Sequence, residues 1–196
     1  MNKKNIKSFP LNLIFILVLT TTLFAVAFLI TELRVEADVV NNVTGWAWSE
    51  NIGWISFNCT NDNSCGTHNY GVNIDTNGNL SGHAWSEHIG WINFNPAEPP
   101  GGPSNSARVN IDSGEVSGWV RALAGGADGW DGWIKLRCEG AECNPPLGYG
   151  VSINRDTGVF QNWAWGGDVV GWISFNCAND DSCLQASDYR VRTSFS

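Results

Sequence analysis

The chain has 196 residues, of which 43% are hydrophobic and 15% are charged, and its formal net charge is −8. This composition is typical of a folded domain and unlike that of disordered chains, which are poor in apolar residues. An acidic surface repels phosphate backbones, so we expect no nucleic-acid partner. The unusual feature is the presence of eleven Trp beside a single Met.

Residues 1–37 have the order of regions found in a secretory signal. Lys3, Lys4 and Lys7 form a basic start, and the mostly apolar run Leu11–Ile30 follows. We predict a hydrophobic helix here, with cleavage after Ala37. The alternative is an uncleaved membrane anchor, because a run of this length can span a bilayer core of roughly 30 Å. In both cases the remaining chain is exported, and we expect it outside the cell or at the cell surface.

A stretch of sequence recurs four times along the rest of the chain. Gly45–Phe57 returns as Gly82–Phe94, and degenerate copies run from Gly118 to Leu136 and from Asn162 to Phe175. Self-similarity of this kind is the sequence signature of repeat architectures. We therefore predict one domain over residues 38–196, made of four units at about 43–78, 79–114, 115–157 and 158–196.

Each unit contains three short runs, named here A, B and C, that are typical of β-strands. They are rich in β-branched and aromatic residues and are bounded by Gly, Asn, Asp or Pro. The predicted A strands are Val43–Ser49, Leu80–Ser86, Val116–Arg121 and Phe160–Gly166. The predicted B strands are Gly53–Cys59, Gly90–Asn95, Gly132–Cys138 and Gly171–Cys177. The predicted C strands are Tyr70–Ile74, Ala107–Ile111, Tyr149–Ile153 and Tyr189–Thr193.

The order of the strands leaves one A strand and one C strand without neighbours. Pairing Tyr189–Thr193 with Val43–Ser49 would satisfy both edges and close the array, as in a propeller or barrel. An open stack of four units is the alternative. We predict an all-β fold of four three-stranded antiparallel units in a closed array, preceded by one N-terminal hydrophobic helix.

Alternation along the strands separates an aliphatic face from a tryptophan-rich face. The aliphatic face carries Ala47, Ile55 and Phe57 with their equivalents, and we expect Tyr70 and Val72 of strand C to join it. The opposite face presents Trp beside small polar residues. Such a face can stack against glycan rings, or it can form a second buried layer between units, because each indole removes roughly 150–250 Å² from water on burial.

Packing is the preferred interpretation for the Trp residues of the Gly-Trp-Ile motifs, whereas those of strand A are the candidates for ligand binding. The predicted ligand-binding residues are Trp46, Trp48, Trp85, Trp119, Trp163 and Trp165. Repetition of weak sites would raise the avidity of the protein.

The six cysteines fall into three local pairs, each within the B-to-C loop of one unit. The predicted disulfides are Cys59–Cys65, Cys138–Cys143 and Cys177–Cys183. Export favours disulfides over zinc, and none of the pairs has the Cys-x-x-Cys spacing of a metal or redox site. Asp62, Asp180 and Asp181 in two of these loops are candidate calcium ligands, but turn chemistry explains them without a metal, and we expect no cofactor.

The sequence shows no catalytic motif of the common hydrolases. It contains neither a Gly-x-Ser-x-Gly elbow nor a His-Glu-x-x-His helix. Glu50 and Glu87, the latter beside His88, are the best candidates for a glycosidase pair. They recur at the same turn position of successive units, as structural turn residues do. We therefore predict that the protein is not an enzyme.

The repeat Gly-Trp-Ala-Trp-Ser-Glu-Asn-Ile-Gly-Trp-Ile-Ser-Phe, followed by Tyr-Gly-Val-Asn-Ile-Asp-x-x-Gly, resembles the Trp-rich repeats of predicted exported proteins from uncultivated bacteria. The resemblance covers roughly residues 43–193. It implies a secreted or cell-surface β-repeat protein and carries no implied activity. The third unit departs from the pattern over residues 121–131, where we expect a remodelled surface.

These observations predict an exported β-repeat protein with a binding or adhesion role, with glycans or other surface proteins as partners. A purely structural envelope protein without a ligand site is the alternative, and a glycan-active hydrolase is the least favoured one.

Overall fold

The computed structural model describes residues 41–126, 129–146, 148–183 and 187–195. The predicted N-terminal helix, signal cleavage point and anchor lie outside these residues. In the part of the chain that the structure describes, no helix has the length and hydropathy needed to cross a membrane.

The described residues form fourteen short strands and a few short helical turns. The A strands are β1 (Val43–Ser49), β4 (Leu80–Ser86), β7 and β8 (Val116–Ser117 and Trp119–Ala122), and β11 and β12 (Phe160–Gln161 and Trp163–Trp165). The B strands are β2 (Gly53–Ser56), β5 (Gly90–Asn93), β9 (Trp133–Lys135) and β13 (Trp172–Ser174). The C strands are β3 (Val72–Ile74), β6 (Arg108–Val109), β10 (Ser152–Ile153) and β14 (Val191–Thr193). One helical turn, α1 (Gly167–Val170), joins β12 to β13, and 3-10 turns occupy Cys59–Asn61, Ser64–Gly66, Pro103–Asn105, Gly140–Cys143 and Cys177–Asn179.

Four A–B hairpins close into an eight-stranded antiparallel barrel. Its strand order is β1-β2-β4-β5-β8-β9-β12-β13, and β13 pairs back onto β1 through Trp48 and Ser174. Closure removes the edges that an open array of these hairpins would expose. The predicted all-β fold with a closed array is therefore confirmed.

The C strands form a second ring at one end of this barrel. Each C strand pairs with the first half of the A strand in the next unit, as Val72, Asn73 and Ile74 do with Gly82, Ser81 and Leu80. The last C strand pairs with the first A strand, with Val43 opposite Thr193. This is the pairing that the unpartnered edges in the sequence predicted.

The first half of each A strand pairs with a C strand and the second half belongs to the barrel. The strand bends between these two halves at one residue with a positive φ. Gly45 (φ 91°), Gly82 (φ 84°) and Gly118 (φ 91°) hold this position in the first three units, and Asn162 (φ 68°) holds it in the fourth. Glycine adopts such φ values without steric cost. A side chain at Gly45 or Gly82 would also overlap a backbone carbonyl of the adjacent C-strand segment.

The aliphatic face fills the barrel. Ala47, Ile55 and Phe57 are each at most 2% exposed, and their equivalents in the other units are also buried. The ring centroid of Phe57 lies 5.4 Å from that of Phe94 and 5.7 Å from that of Phe175. The barrel interior is thus a packed hydrophobic core, and the tryptophan-rich face is its outer surface.

The hairpin turns close one end of the barrel. Ile52, Ile89 and Val170 occupy equivalent turn positions and are buried. In the remodelled third unit, Trp130 packs against the same core. The Ser49 hydroxyl donates a 2.6 Å hydrogen bond to the Val170 carbonyl, which joins the first hairpin to the last.

Tyr70 does not lie where its place in the alternation predicts. Its ring is buried against Trp91, with centroids 5.2 Å apart, and its hydroxyl donates to Ser56 Oγ at 2.8 Å. The regular strand begins only at Val72, so Tyr70 precedes it and covers the outer surface instead of entering the core.

All six cysteines form the three predicted local disulfides, Cys59–Cys65, Cys138–Cys143 and Cys177–Cys183. On the chain-entropy model, a disulfide that closes a loop of about seven residues stabilises the folded state by roughly 2.4 kcal/mol. Three disulfides in one small domain are compatible with an extracellular location.

Candidate functional site

The outward-facing side chains form four oblique rows across the barrel, each four strands wide. Each row begins in one unit and ends in the next. In the first of these units it contains the first outward-facing residue of the A strand and the polar residue of the B strand. In the next unit it contains the second outward-facing residue of the A strand and the Trp of the B strand. The rows are Trp46-Ser56-Trp85-Trp91, His83-Asn93-Arg121-Trp133, Trp119-Lys135-Trp165-Trp172 and Trp163-Ser174-Trp48-Trp54.

Edge-to-face contacts hold the aromatic rings of these rows in place. Trp165 and Trp172 have centroids 4.7 Å apart, and Tyr149 lies 5.2 Å from Trp172. Inclined and edge-to-face arrangements are the favoured geometries for aromatic pairs. The outer surface therefore presents aromatic rings that pack against one another.

An open groove of about 660 Å³ lies where the last unit meets the first. Its aromatic walls are Trp48 from the first unit, Trp163, Trp165 and Trp172 from the last, and Tyr149 from the third. Its polar lining includes Glu50, Asn51 and Asp180. This groove exists only because the barrel closes, since one of its sides belongs to the first unit and the other to the third and last units.

Hydrogen bonds across the closure fix the turn that carries Glu50 and Asn51. The Asn51 amide donates from Nδ2 to the carbonyl of Asp168 at 3.1 Å, and its backbone N–H donates to Ser49 Oγ at 3.2 Å. Gly171 has a φ of 69°, and a Cβ there would lie 2.9 Å from Asn51 Nδ2. Glycine at this position therefore allows the two hairpins to approach closely.

The loop that carries Asp180 is held in the same way. Asn179 accepts from the backbone N–H of Asn162 at 3.0 Å, and it donates to the Asn162 carbonyl at 2.8 Å and to Ser174 Oγ at 2.9 Å. The Asp180 carboxylate accepts from the backbone N–H of Ser182 at 3.3 Å. The groove is thus largely pre-formed, as small-molecule sites commonly are.

The charge in the groove is negative. Glu50 and Asp180 contribute exposed carboxylates, and none of the described residues that line it is Lys or Arg. Burial, together with the negative charges of Glu142 and Glu139, raises the pKa of Tyr149 to about 12. Tyr149 therefore stays a neutral hydrogen-bond donor at physiological pH.

All three tyrosines of the protein have a raised pKa, because burial also raises the pKa of Tyr70 and of Tyr189. We expect a spectrophotometric titration to show less tyrosinate at pH 10 in the native protein than in the denatured chain, whose tyrosines titrate near their ordinary pKa of about 10. Because the unfolded state loses its protons first, the free energy of unfolding should fall as the pH rises from about 10 to 12. The variant Tyr149→Phe should reduce this fall, and a native absorbance step at pH 10 would contradict the assignment.

Three of the six predicted ligand-binding residues, Trp48, Trp163 and Trp165, line this groove. Trp46, Trp85 and Trp119 lie elsewhere on the outer surface and are partly exposed. The Trp119 ring is covered by Lys135, whose Nζ lies 5.2 Å from its centroid.

Sequence reasoning missed Trp172 and Tyr149 as groove residues. Trp172 belongs to a Gly-Trp-Ile motif, and we expected these motifs to supply packing residues. The structure leaves Trp172 and Trp54 41% exposed, which makes them more accessible than the Trp of strand A. The signal that could have identified Trp172 is alternation, since it placed this residue on the same face as the strand-A Trp. Alternation assigned Tyr149 to the aliphatic face, and this prediction is wrong, because the Tyr149 ring contacts Trp172 on the outer surface.

The candidate calcium ligands have other roles in the described loops. Asp62 and Asp180 accept backbone N–H groups two residues ahead, as turn residues do. Asp181 has a left-handed φ of 58°. Within the described residues, the cluster with metal-ligand spacing is Cys177, Cys183 and Asp188, and both of its cysteines are in a disulfide.

Glu50 and Glu87 lie in the first two hairpin turns, and both side chains are exposed. Of the two, Glu50 lines the groove, where Asp180 is the second carboxylate. The structure therefore does not bring Glu50 and Glu87 into this groove as a pair.

Comparison with known proteins found no matching family model, no matching curated protein and no matching solved structure.

Proposed function

We propose that the protein is an exported cell-surface β-barrel protein that binds a neutral oligosaccharide in the groove between its last and first units. The observation that carries this proposal is the pre-formed groove, in which four Trp and one Tyr surround two carboxylates and an amide. Ligand sites are commonly concave, mostly apolar surfaces with a few convergent polar groups.

The chemistry of the lining fits a sugar. Indole faces pack against the C–H faces of pyranose rings, while the carboxylates of Glu50 and Asp180 accept hydrogen bonds from hydroxyl groups. Asn51 adds an amide at the same wall. Anionic sugars are disfavoured, because the groove and the whole chain are acidic.

Export is supported by two independent features. The three disulfides fit an oxidising compartment. The N-terminal sequence has the regions of a secretory signal. An exported protein that presents packed aromatic rings on its outer surface is suited to adhesion.

We expect Trp172→Ala to weaken oligosaccharide binding by roughly tenfold or more, since Trp side chains dominate binding energy where they form the contact surface. Screening on a glycan array followed by titration of the selected oligosaccharide would measure this. Trp133→Ala is the matched control, because Trp133 holds the same position in the third unit but does not line the groove. Equal losses in the two variants would contradict the assignment, and no binding by the wild-type protein would favour a purely structural role.

The proposal is binding without hydrolysis, because Glu50 occupies a turn position that Glu87 repeats in the next unit. Incubating the bound oligosaccharide with the wild-type protein and with Glu50→Gln would test this point. Turnover in the wild-type protein that disappears in the variant would instead identify a hydrolase.

A further inference from the structure

We propose that the barrel carries a second oligosaccharide site, one unit further round, between the first and second units. This inference rests on the proposed function of the first groove. It extends that proposal by stating that there are two sites and by naming the residues that form the second. The second site consists of Trp46, Trp48 and Trp54 of the first unit, Trp85 and Glu87 of the second, and Tyr189 of the last.

The aromatic geometry of the second site repeats that of the groove. Trp48 and Trp54 have centroids 4.6 Å apart, as compared with 4.7 Å for Trp165 and Trp172. Tyr189 lies 5.4 Å from Trp54, as compared with 5.2 Å for Tyr149 and Trp172. Trp54 and Trp172 are each 41% exposed, so the equivalent rings are equally accessible.

Two of the three polar positions of the second site match those of the groove, and His88 takes the position of Asn51. Glu87 takes the turn position of Glu50, and Asp62 takes the loop position of Asp180. The Asp62 carboxylate accepts from Ser64 N–H at 3.1 Å, which is the same turn contact that Asp180 makes with Ser182. The adjoining Asn61 holds Gly45 through two hydrogen bonds of 2.9 and 2.7 Å, as Asn179 holds Asn162.

The position between the second and third units lacks this set of residues. His83 and Arg121 stand where the groove has Trp163 and Trp48, and the Arg121 guanidinium lies 5.1 Å from the ring centroid of Trp133. Leu123 replaces the turn carboxylate. A cation and an aliphatic side chain therefore take the places of the stacking ring and the hydrogen-bond acceptor.

The position between the third and fourth units is blocked in a different way. Lys135 lies over Trp119 and forms ion pairs with Glu142 and Glu139, with Nζ–O distances of 2.8 and 3.5 Å. The tyrosine of the preceding C strand is replaced by Ala107. Two of the four equivalent positions thus retain the stacking rings and carboxylates, and the two sites adjoin because Trp48 belongs to both.

The test is the stoichiometry of binding to the full chain, measured with a trisaccharide of β-1,4-linked N-acetylglucosamine or glucose, whichever the protein binds. Calorimetry and the indole N–H resonances of labelled Trp would report it. We expect two sites in the wild-type protein, one in Trp163→Ala and one in Trp46→Ala, which is the equivalent substitution in the second site.

The exposed turn residues provide a second pair of variants that does not disturb the aromatic rows. Glu50→Gln and Glu87→Gln should each weaken one of the two sites by several-fold and leave the other unchanged. A single site that is lost in Trp163→Ala and unaffected by Trp46→Ala would overturn the second site and leave the proposed function standing. No binding of either trisaccharide, or of any array glycan, would overturn both.

Discussion

Gly82→Ala is expected to lower the free energy of unfolding by about 3 kcal/mol or more, measured by chemical denaturation with the disulfides intact. Gly82 has a φ of 84°, where an Ala side chain is strained. A Cβ at this residue would also overlap the carbonyl oxygen of Gly71 on the neighbouring segment. Relief of that overlap would require separating β3 from β4, whose pairing builds the second ring.

The chain contains controls that separate the two contributions. Gly102 has φ 93° and ψ −178°, and a Cβ at this residue would have no atom within 4 Å beyond its two chain neighbours, so Gly102→Ala should report backbone strain alone, about 1–3 kcal/mol. Asn162 already occupies the equivalent bend in the fourth unit, so Asn162→Gly should change stability little. If Gly82→Ala cost no more than Gly102→Ala, the close approach of the two segments would not constrain the bend.

Phe57→Ala should lower the free energy of unfolding by about 3–5 kcal/mol, as truncation of a large buried aromatic residue does. Phe57 is 2% exposed and contacts Phe94 and Phe175, so the substitution opens a cavity among rings from three units. Since closure of the barrel brings those units together, the cost should spread to the whole domain, and denaturation should remain a single transition.

Two further variants test the origin of that loss. Phe57→Leu introduces the residue that Leu136 supplies at the same position of the third unit, and it should cost less than half as much as Phe57→Ala. Leu123→Ala removes a side chain that is 53% exposed and should change stability by less than about 0.5 kcal/mol. A small effect of Phe57→Ala would mean that the barrel interior collapses around the missing ring.

Substitutions on the two faces of the same strands are therefore expected to have different effects. Substitutions on the inner face should change stability and leave the outer rings in place, whereas Trp172→Ala and Trp46→Ala remove partly exposed rings whose loss should affect binding more than folding. Measuring both stability and binding for each variant would distinguish a binding surface from a surface that serves only for packing.

Much of the fold was predictable from the sequence because its determinants are local and repeated four times. The alternation of Ala47, Ile55 and Phe57 with Trp46 and Trp48 assigned the two faces, and the Gly, Asn, Asp and Pro residues that bound each run marked the strand ends. The unpartnered A and C strands predicted closure. The local spacing of the cysteines likewise predicted the three disulfides that the structure contains.

The solvent exposure of each tryptophan was not predictable in this way, because it depends on contacts between units. Trp172 and Trp133 hold the same place in the same motif, yet Arg121 lies over Trp133, whereas Trp172 is left open at the groove. The orientation of Tyr70 was not predictable either. The strand whose alternation would direct its side chain inward begins two residues later, at Val72.

The sequence by itself determined the repeat, the strands, the two faces and the disulfides, since each follows from residue type and spacing within one unit. Only the tertiary structure decided which side chains meet where the last unit closes onto the first, with Trp48 and Glu50 facing Trp163, Trp172 and Asp180. The physical reason is that the groove lies between side chains of different units, and these side chains become neighbours only when β13 pairs with β1.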